Sequence, residues 1–410
     1  MARGWDTAER PRPALNVAPT RPEIELLLCC ARFQTGWEVG DAVRPPSRRG
    51  TDWTWLVRQT RWHGVLLPPP RFLPSTPLDG IPPAVLTEFA ERARRIAHHN
   101  LFLTGQLVDL LGRFAAAGIA AVPVKGPTLA ALAYGDLARR ESFDLDILVR
   151  RQDAAAAVDL LRSLDYRADP VLSPGAEAAR LASQYHHRLA RNPGPVVELH
   201  WRFAPCYFPF ALRPEQARLT QLRLGSATVH TLAPEHLLLV LAVHGAKHLW
   251  ERLIWICDVA ALIRNVGLNW PDVISESGRL GVARVVRLSL VLARDLLAAP
   301  LPDAVDDWVE GDPGLAELAA LARQRLFATE RRPVESAERF RFYAKARERW
   351  RDKARCAFHT VATPTITDFQ LAALPAGLHP LYYVVRPLRL VAKWGVKLAT
   401  LQRRPPSATT

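Results

Sequence analysis

Apolar and polar positions along this chain change period near Gly118 and again near Pro234, and the changes divide it. Residues 22–34 read as a short helix, 41–52 as a polar loop, and 53–67 as a tryptophan-bearing stretch stopped by Pro68–Pro70. From Pro82 to Ala117 apolar residues recur mostly at three-and-four spacing, through Leu86, Phe89, Ala93, Ile96, Leu101, Leu107 and Leu111. This predicts an amphipathic helix closed by Gly118. The pattern then shortens. It predicts strands at 119–124 and 143–149, a hairpin of 186–190 with 196–203 around Asn192–Pro195, and a strand at 228–232; 166–172 offers one more. Helices are expected between them at 128–134, 154–164 with Asp153 as cap, and 174–184. Beyond Pro234 the helical period returns at 235–250, 253–266, 283–298 and 314–327. It is followed by a charged stretch at 330–356 and an apolar, basic segment at 381–402 interrupted by Pro387. The expected organisation is α+β: residues 1–21 disordered, 22–118 helical, 119–232 one mixed domain, 233–330 a helical domain, and 331–410 a basic helical region with a disordered tail.

The strand at 143–149 carries the most specific chemistry. Side chains alternate along a strand, so Asp144 and Asp146 share one face while Phe143, Leu145, Ile147 and Val149 point into a core. Two adjacent carboxylates on a buried strand repel, a cost usually tolerated where a divalent cation sits between them. Upstream, Lys125-Gly126 opens a helix whose first amides can take a phosphate. If the strand bearing Glu198 lies beside 143–149, Glu198 joins the same face, and three carboxylates on two strands can hold two Mg²⁺ ions. The plainer alternative makes Asp144 a solvent-facing strand residue and Asp146 a turn cap.

Other polar residues divide between chemistry and structure. Arg140 either reaches a phosphate or pairs with one of the two acids. His244 and His248 share a helix face. The residues between them, Gly-Ala-Lys, lack the glutamate of a zinc protease motif. Asp258 lies in an otherwise apolar helix and needs a partner, for which the His244–His248 helix is the nearest candidate. His186 and His187 offer another pair near the acids, but they fall on opposite strand faces and are not expected to act together. Thr128 is expected to help cap its helix.

Composition adds little that is specific. The chain has 54 Lys and Arg against 40 Asp and Glu, net +14, with arginine supplying most of it. The excess reads either as drift in an Arg-, Ala- and Leu-rich chain or as affinity for phosphates, nucleic acid or anionic lipid. Aromatic residues do not interleave with Lys and Arg as in RNA-reading motifs, so nucleic acid ranks last. The five cysteines form no Cys-x-x-Cys pair, which suits a reducing cytoplasm without a cysteine zinc site. The first twenty residues lack a secretory apolar core, and no apolar run is long enough to span a bilayer, although 381–402 can lie on a membrane surface or a partner protein.

These residues resemble a family. Gly118-Ile119, Val124-Lys125-Gly126, Arg140 with Asp144 and Asp146, Glu198-Leu199-His200-Trp201, and His244, Lys247, His248, Trp250, Arg252, Leu253, Trp255 and Asp258 follow one another as in a bacterial group of uncharacterised nucleotidyltransferases. That group belongs to the superfamily related to DNA polymerase β. The resemblance spans roughly residues 22–300. It implies a mixed-sheet palm flanked by helical regions and transfer of a nucleoside monophosphate from an NTP, ATP in the first instance, to an acceptor, with pyrophosphate leaving. It implies Mg²⁺ or Mn²⁺ held by Asp144, Asp146 and Glu198, with Glu198 also placed to deprotonate the acceptor. Lys125, Gly126, Arg140, His244, Lys247 and His248 would then line the nucleotide cleft. Lys125-Gly126 stands where most active members of the superfamily carry Gly-Ser; related antitoxin-system enzymes share the lysine, which can meet phosphate as a point charge. A non-catalytic nucleotide- or partner-binding protein on the same fold is the alternative.

Overall fold

The computed structural model describes residues 21–37, 50–66, 81–168, 170–208, 210–328, 332–371 and 374–402. Residues 1–20, 403–410 and the Pro68–Pro70 stop lie outside the described residues. Five strands, β1 (Ala121–Pro123), β2 (Asp144–Val149), β3 (Arg167–Ala168), β4 (His186–Ala190) and β5 (Val196–His200), form one mixed sheet in the order β1-β2-β5-β4-β3. Only β2 and β5 run parallel within it. A parallel pair needs a crossover, and the chain supplies a long one through β3 and β4. The register sets Asp146 opposite Glu198 and Leu148 opposite His200.

One face of this sheet is apolar. Leu145, Ile147 and Val149 of β2, Leu189 of β4, and Val197 and Leu199 of β5 pack on Leu103, Leu107, Leu110 and Phe114 of the long helix α3 (Pro83–Ala116). Val158 and Leu161 of α5 (Ala154–Ser163) complete that cluster. Gly118, at φ +70°, closes α3 as expected, and the Ile119 amide donates to the Phe114 carbonyl at 2.9 Å. The opposite face meets a larger helical core built from α1 (Pro22–Gln34), α2 (Trp53–His63), α4 (Pro127–Tyr134), α7 (Pro234–Lys247), α8 (Leu253–Asn265), α9 (Trp270–Leu280), α10 (Ala283–Leu297), α11 (Asp303–Glu310) and α12 (Leu315–Leu326). Helix α6 (Pro174–Ser183) lies beside β4 and receives the C-terminal region through Phe369 of α15 (Ile366–Leu371) and Tyr382 of α16 (Tyr382–Gln402).

Several expectations need correction. Phe143 precedes the first paired residue of β2 and is 57% exposed, so it joins no core. Asp153 does not cap α5; its carboxylate accepts from Arg150 Nε at 2.7 Å. The segment 166–172 contributes only the two residues of β3. The strand near 228–232, β7 (Ala227–Leu232), pairs with an unanticipated β6 (Leu219–Leu224) as a separate two-stranded ribbon. Helices α9 and α11 were also not anticipated. The charged stretch 330–356 divides into α13 (Ser336–Lys345) and α14 (Trp350–Ala362), while α16 continues through Pro387. Leu381, Val384, Leu388 and Val391 are exposed, and no helix among the described residues is long and apolar enough to cross a membrane.

Candidate active site

The polar face of β2 and β5 forms the floor of a cavity of about 350 Å³, and α7 and α8 form its roof. Asp144 and Asp146 project from β2, and Glu198 and His200 from β5, because i and i+2 share a strand face. Lys125 Nζ lies 2.9 Å from Asp146 Oδ1. His200 Nε2 lies 3.1 Å from that same oxygen and 3.4 Å from Glu198 Oε2. Gly126 shapes the turn that places Lys125. It holds φ 64° and ψ −134°, and a Cβ there would stand 3.1 Å from the Asp144 carbonyl oxygen. Pro127 at the start of α4 removes one of the amides that a phosphate would use. Thr128 does not cap this helix; its hydroxyl donates to the Lys125 carbonyl at 2.8 Å.

The roof is aromatic and basic. His248 stacks on Trp255 with centroids 4.9 Å apart, and His244 stands 4.8 Å from His248. Lys247 donates to the Tyr185 hydroxyl at 3.2 Å. Below it, His186 stacks on His200 at 5.3 Å, and His186 Nδ1 is buried without a hydrogen-bond partner. The bend between α7 and α8 is built by Leu249 and Trp250, both left-handed at φ 55° and 56°. A Cβ on Gly245 would lie 2.3 Å from the Trp250 ring, so this glycine makes room for the tryptophan that shapes the bend.

Asp258 is 1% exposed, and its partner differs from the expected one. Arg140 clamps it with both arms of its guanidinium, Nε to Oδ1 at 2.7 Å and the second arm to Oδ2 at 3.0 Å, and Tyr134 donates a hydroxyl at 2.8 Å. Neither the His244–His248 helix nor the β2 acids take that role. A buried carboxylate is best satisfied by a bidentate charged partner, which arginine supplies. The loop carrying Arg140 is fixed from α3, where Asn100 donates to the Arg140 carbonyl at 2.6 Å and Arg92 pairs with Glu141 at 2.7 Å.

Charges on the floor are strongly coupled. Burial, then the neighbouring Asp146, pushes the Asp144 carboxyl up to about 6. Burial also opposes ionisation of Asp146, but the Lys125 ammonium and the His200 hydrogen bond outweigh it and hold this carboxyl well below its usual range. Partial burial opposes ionisation of Glu198 as well, but the His200 hydrogen bond outweighs it and holds this carboxyl at about 2. Burial opposes a proton on His200, yet its bonds to Asp146 and Glu198 raise its pKa. In the roof, burial and then Lys125 lower Lys247 to about 8, and burial drives His244 and His248 well below the ordinary histidine value. The donor set suits a divalent cation: ligand atoms of Asp146, Glu198 and His200 all lie within 4.8 Å of one another, and Asp144 adjoins them on β2.

All nine residues expected at the site line this one cavity. Tyr185 and Trp255 of the lining, and His200 against Asp146, were not singled out for it, and His186 was considered only as a pair with His187. The Glu-Leu-His alternation at 198–200 was the available signal for His200. A larger cleft of about 770 Å³, edged by Arg332, Arg341 and Lys345, shares no lining residue with the acidic cavity.

A model of the family described as "uncharacterised nucleotidyltransferase" matches residues 49–298, more than half of the chain and the whole of this cavity. The chain belongs to that family. Its sheet and flanking helices are the fold expected of a nucleotidyltransferase. A solved structure, an antigenic nucleotidyltransferase-like protein from Paracoccidioides brasiliensis, is similar at 22% identity and a TM-score of 0.33, over 50% of this chain and 96% of that one. No curated protein matches.

Proposed function

We propose that this nucleotidyltransferase-family protein moves a nucleoside monophosphate from an NTP, ATP in the first instance, to an acceptor that is a small molecule, peptide or protein. The bond between the α-phosphorus and the pyrophosphate oxygen breaks, the bond to the acceptor forms, and pyrophosphate leaves. The observation that carries this reading is the placement of Asp146 directly opposite Glu198 across a parallel ladder, with Asp144 two residues earlier on the same face. Asp144, Asp146 and Glu198 are the residues that would hold Mg²⁺ or Mn²⁺. When bound, such an ion neutralises triphosphate charge and polarises the reacting phosphorus. Lys125 meets the triphosphate as a point charge, and Gly126 lets the backbone approach it. Glu198 accepts the acceptor's proton. Lys247, with His244 and His248 kept neutral by burial, lines the wall on which the nucleotide rests, and Arg140, locked to Asp258, braces the loop that leads into β2.

The test is to incubate the purified protein with each α-labelled NTP and Mg²⁺ or Mn²⁺ in cell lysate and follow both label and pyrophosphate. Label appearing on a new species, with stoichiometric pyrophosphate, is expected. Nucleotide retained on the protein without pyrophosphate release in any lysate fraction would instead mark a non-catalytic nucleotide-binding protein on the same fold.

A further inference from the structure

His200 lies outside the three-carboxylate set, yet it touches two of its members. Its Nε2 is within 3.1 Å of Asp146 Oδ1 and 3.4 Å of Glu198 Oε2. One ring nitrogen therefore faces oxygens of two carboxylates, one from β2 and one from β5, at contact distance. Three ligand atoms that all lie within 4.8 Å of one another are spaced to surround a single cation. The ring is not loosely held there: it stacks on His186 with an interplanar angle of 18°, and Tyr185 stands 5.9 Å away. A ring fixed in this way presents its nitrogen in one direction, as ligating histidines do.

We propose that His200 is itself a metal ligand, so that the cation held by the carboxylates of the site read above also takes one imidazole nitrogen. The consequence is selectivity. Mg²⁺ is held by oxygen ligands, whereas an imidazole nitrogen suits first-row transition ions, of which Mn²⁺ is the one that also takes carboxylates readily. The site therefore takes Mn²⁺ in preference to Mg²⁺. This inference rests on the proposed transfer site but is separable from it, because the readout is binding rather than turnover.

The probes are MnCl₂ and MgCl₂ on the full chain without nucleotide. Electron spin-echo modulation of bound Mn²⁺ is expected to show nitrogen coupling from an imidazole, and titration is expected to show tighter Mn²⁺ than Mg²⁺ binding. His200→Gln is expected to lose the nitrogen coupling and to weaken Mn²⁺ on the order of tenfold or more, since even outer partners of a ligand are worth about 10–100-fold. Its thermal melt checks that it remains folded, and the wild-type spectrum is informative without any variant. Mn²⁺ binding that Asp146→Asn abolishes, but that carries no nitrogen coupling, would overturn the inference and leave the transfer site standing. Coupling that persists in His200→Gln would also overturn it. Absence of any Mn²⁺ binding would remove both readings together.

Discussion

On one face of the sheet, Leu145, Ile147 and Val149 meet the apolar stripes of α3 and α5. One residue away along the same strand, Asp144 and Asp146 meet Lys125, His200 and Glu198. Both faces are buried, but burial acts oppositely on them. On the first it is the source of stability, about 1.5–3 kcal/mol for each large apolar side chain removed from water. On the second it is a cost that partners must offset, visible in the Asp144 carboxyl pushed up to about 6. Strand alternation lets one segment do both. The apolar face is made stable by the residues it contains, whereas the polar face is made stable by residues brought from elsewhere.

That contrast can be broken from either side. The largest effect is expected on the polar face. Asp146→Asn should lower nucleotidyl transfer on the order of 10³-fold or more, since a metal's charge stabilisation is worth several kcal/mol. Its urea midpoint should change far less than its rate; equal loss of rate and fold would mean that Asp146 is structural. Next comes the buried pair behind the cavity. Asp258→Ala strands the Arg140 guanidinium and should cost about 3–5 kcal/mol in denaturant unfolding, as breaking a buried pair does. On the apolar face, Ile147→Ala should cost about 2–5 kcal/mol by leaving a cavity. Nucleotide binding measured well below its melting temperature should survive.

The smallest expected effect concerns a polar pair beside the apolar face. His187, fully buried, lies 3.0 Å from Glu177 of α6. The hydrogen bond from His187 and the charge of Arg162 hold the Glu177 carboxyl below its ordinary 4.5 against the opposing effect of burial. A depressed carboxyl contributes stability above its unfolded pKa and loses it as pH falls through the folded value. The gap in urea midpoint between wild type and Glu177→Gln should therefore be present at pH 7 and close below about pH 4.5. A gap that widens in acid would contradict this assignment.

The same contrast explains what could be read from the residues alone. Leu145, Ile147 and Val149 were legible because alternation depends only on neighbours in sequence. Asp144, Asp146 and Glu198 were legible for the same reason, once the strands bearing them were taken to be adjacent. The partner of Asp258 was not, because Arg140 stands 118 residues away and only the folded loop brings it near. The contacts of His200 with Asp146 and Glu198 were within reach, because it shares its alternation with Glu198. Phe143 was misassigned by extending the strand one residue beyond its first pair. Helices α9 and α11 were legible and were overlooked: Trp270, Val273, Ser277 and Leu280 recur on one buried face between an Asn269 cap and Gly281, and Val305 and Val309 recur on another.

The central claim is that the polar face of β2 and β5 performs metal-dependent nucleotidyl transfer. Its most direct measurement is transfer from α-labelled NTP with Mg²⁺ or Mn²⁺, comparing wild type with the Asp144→Asn/Asp146→Asn double variant at matched thermal stability. The account predicts labelled product and released pyrophosphate from the wild type and neither from the variant. Transfer retained by a folded double variant would contradict it.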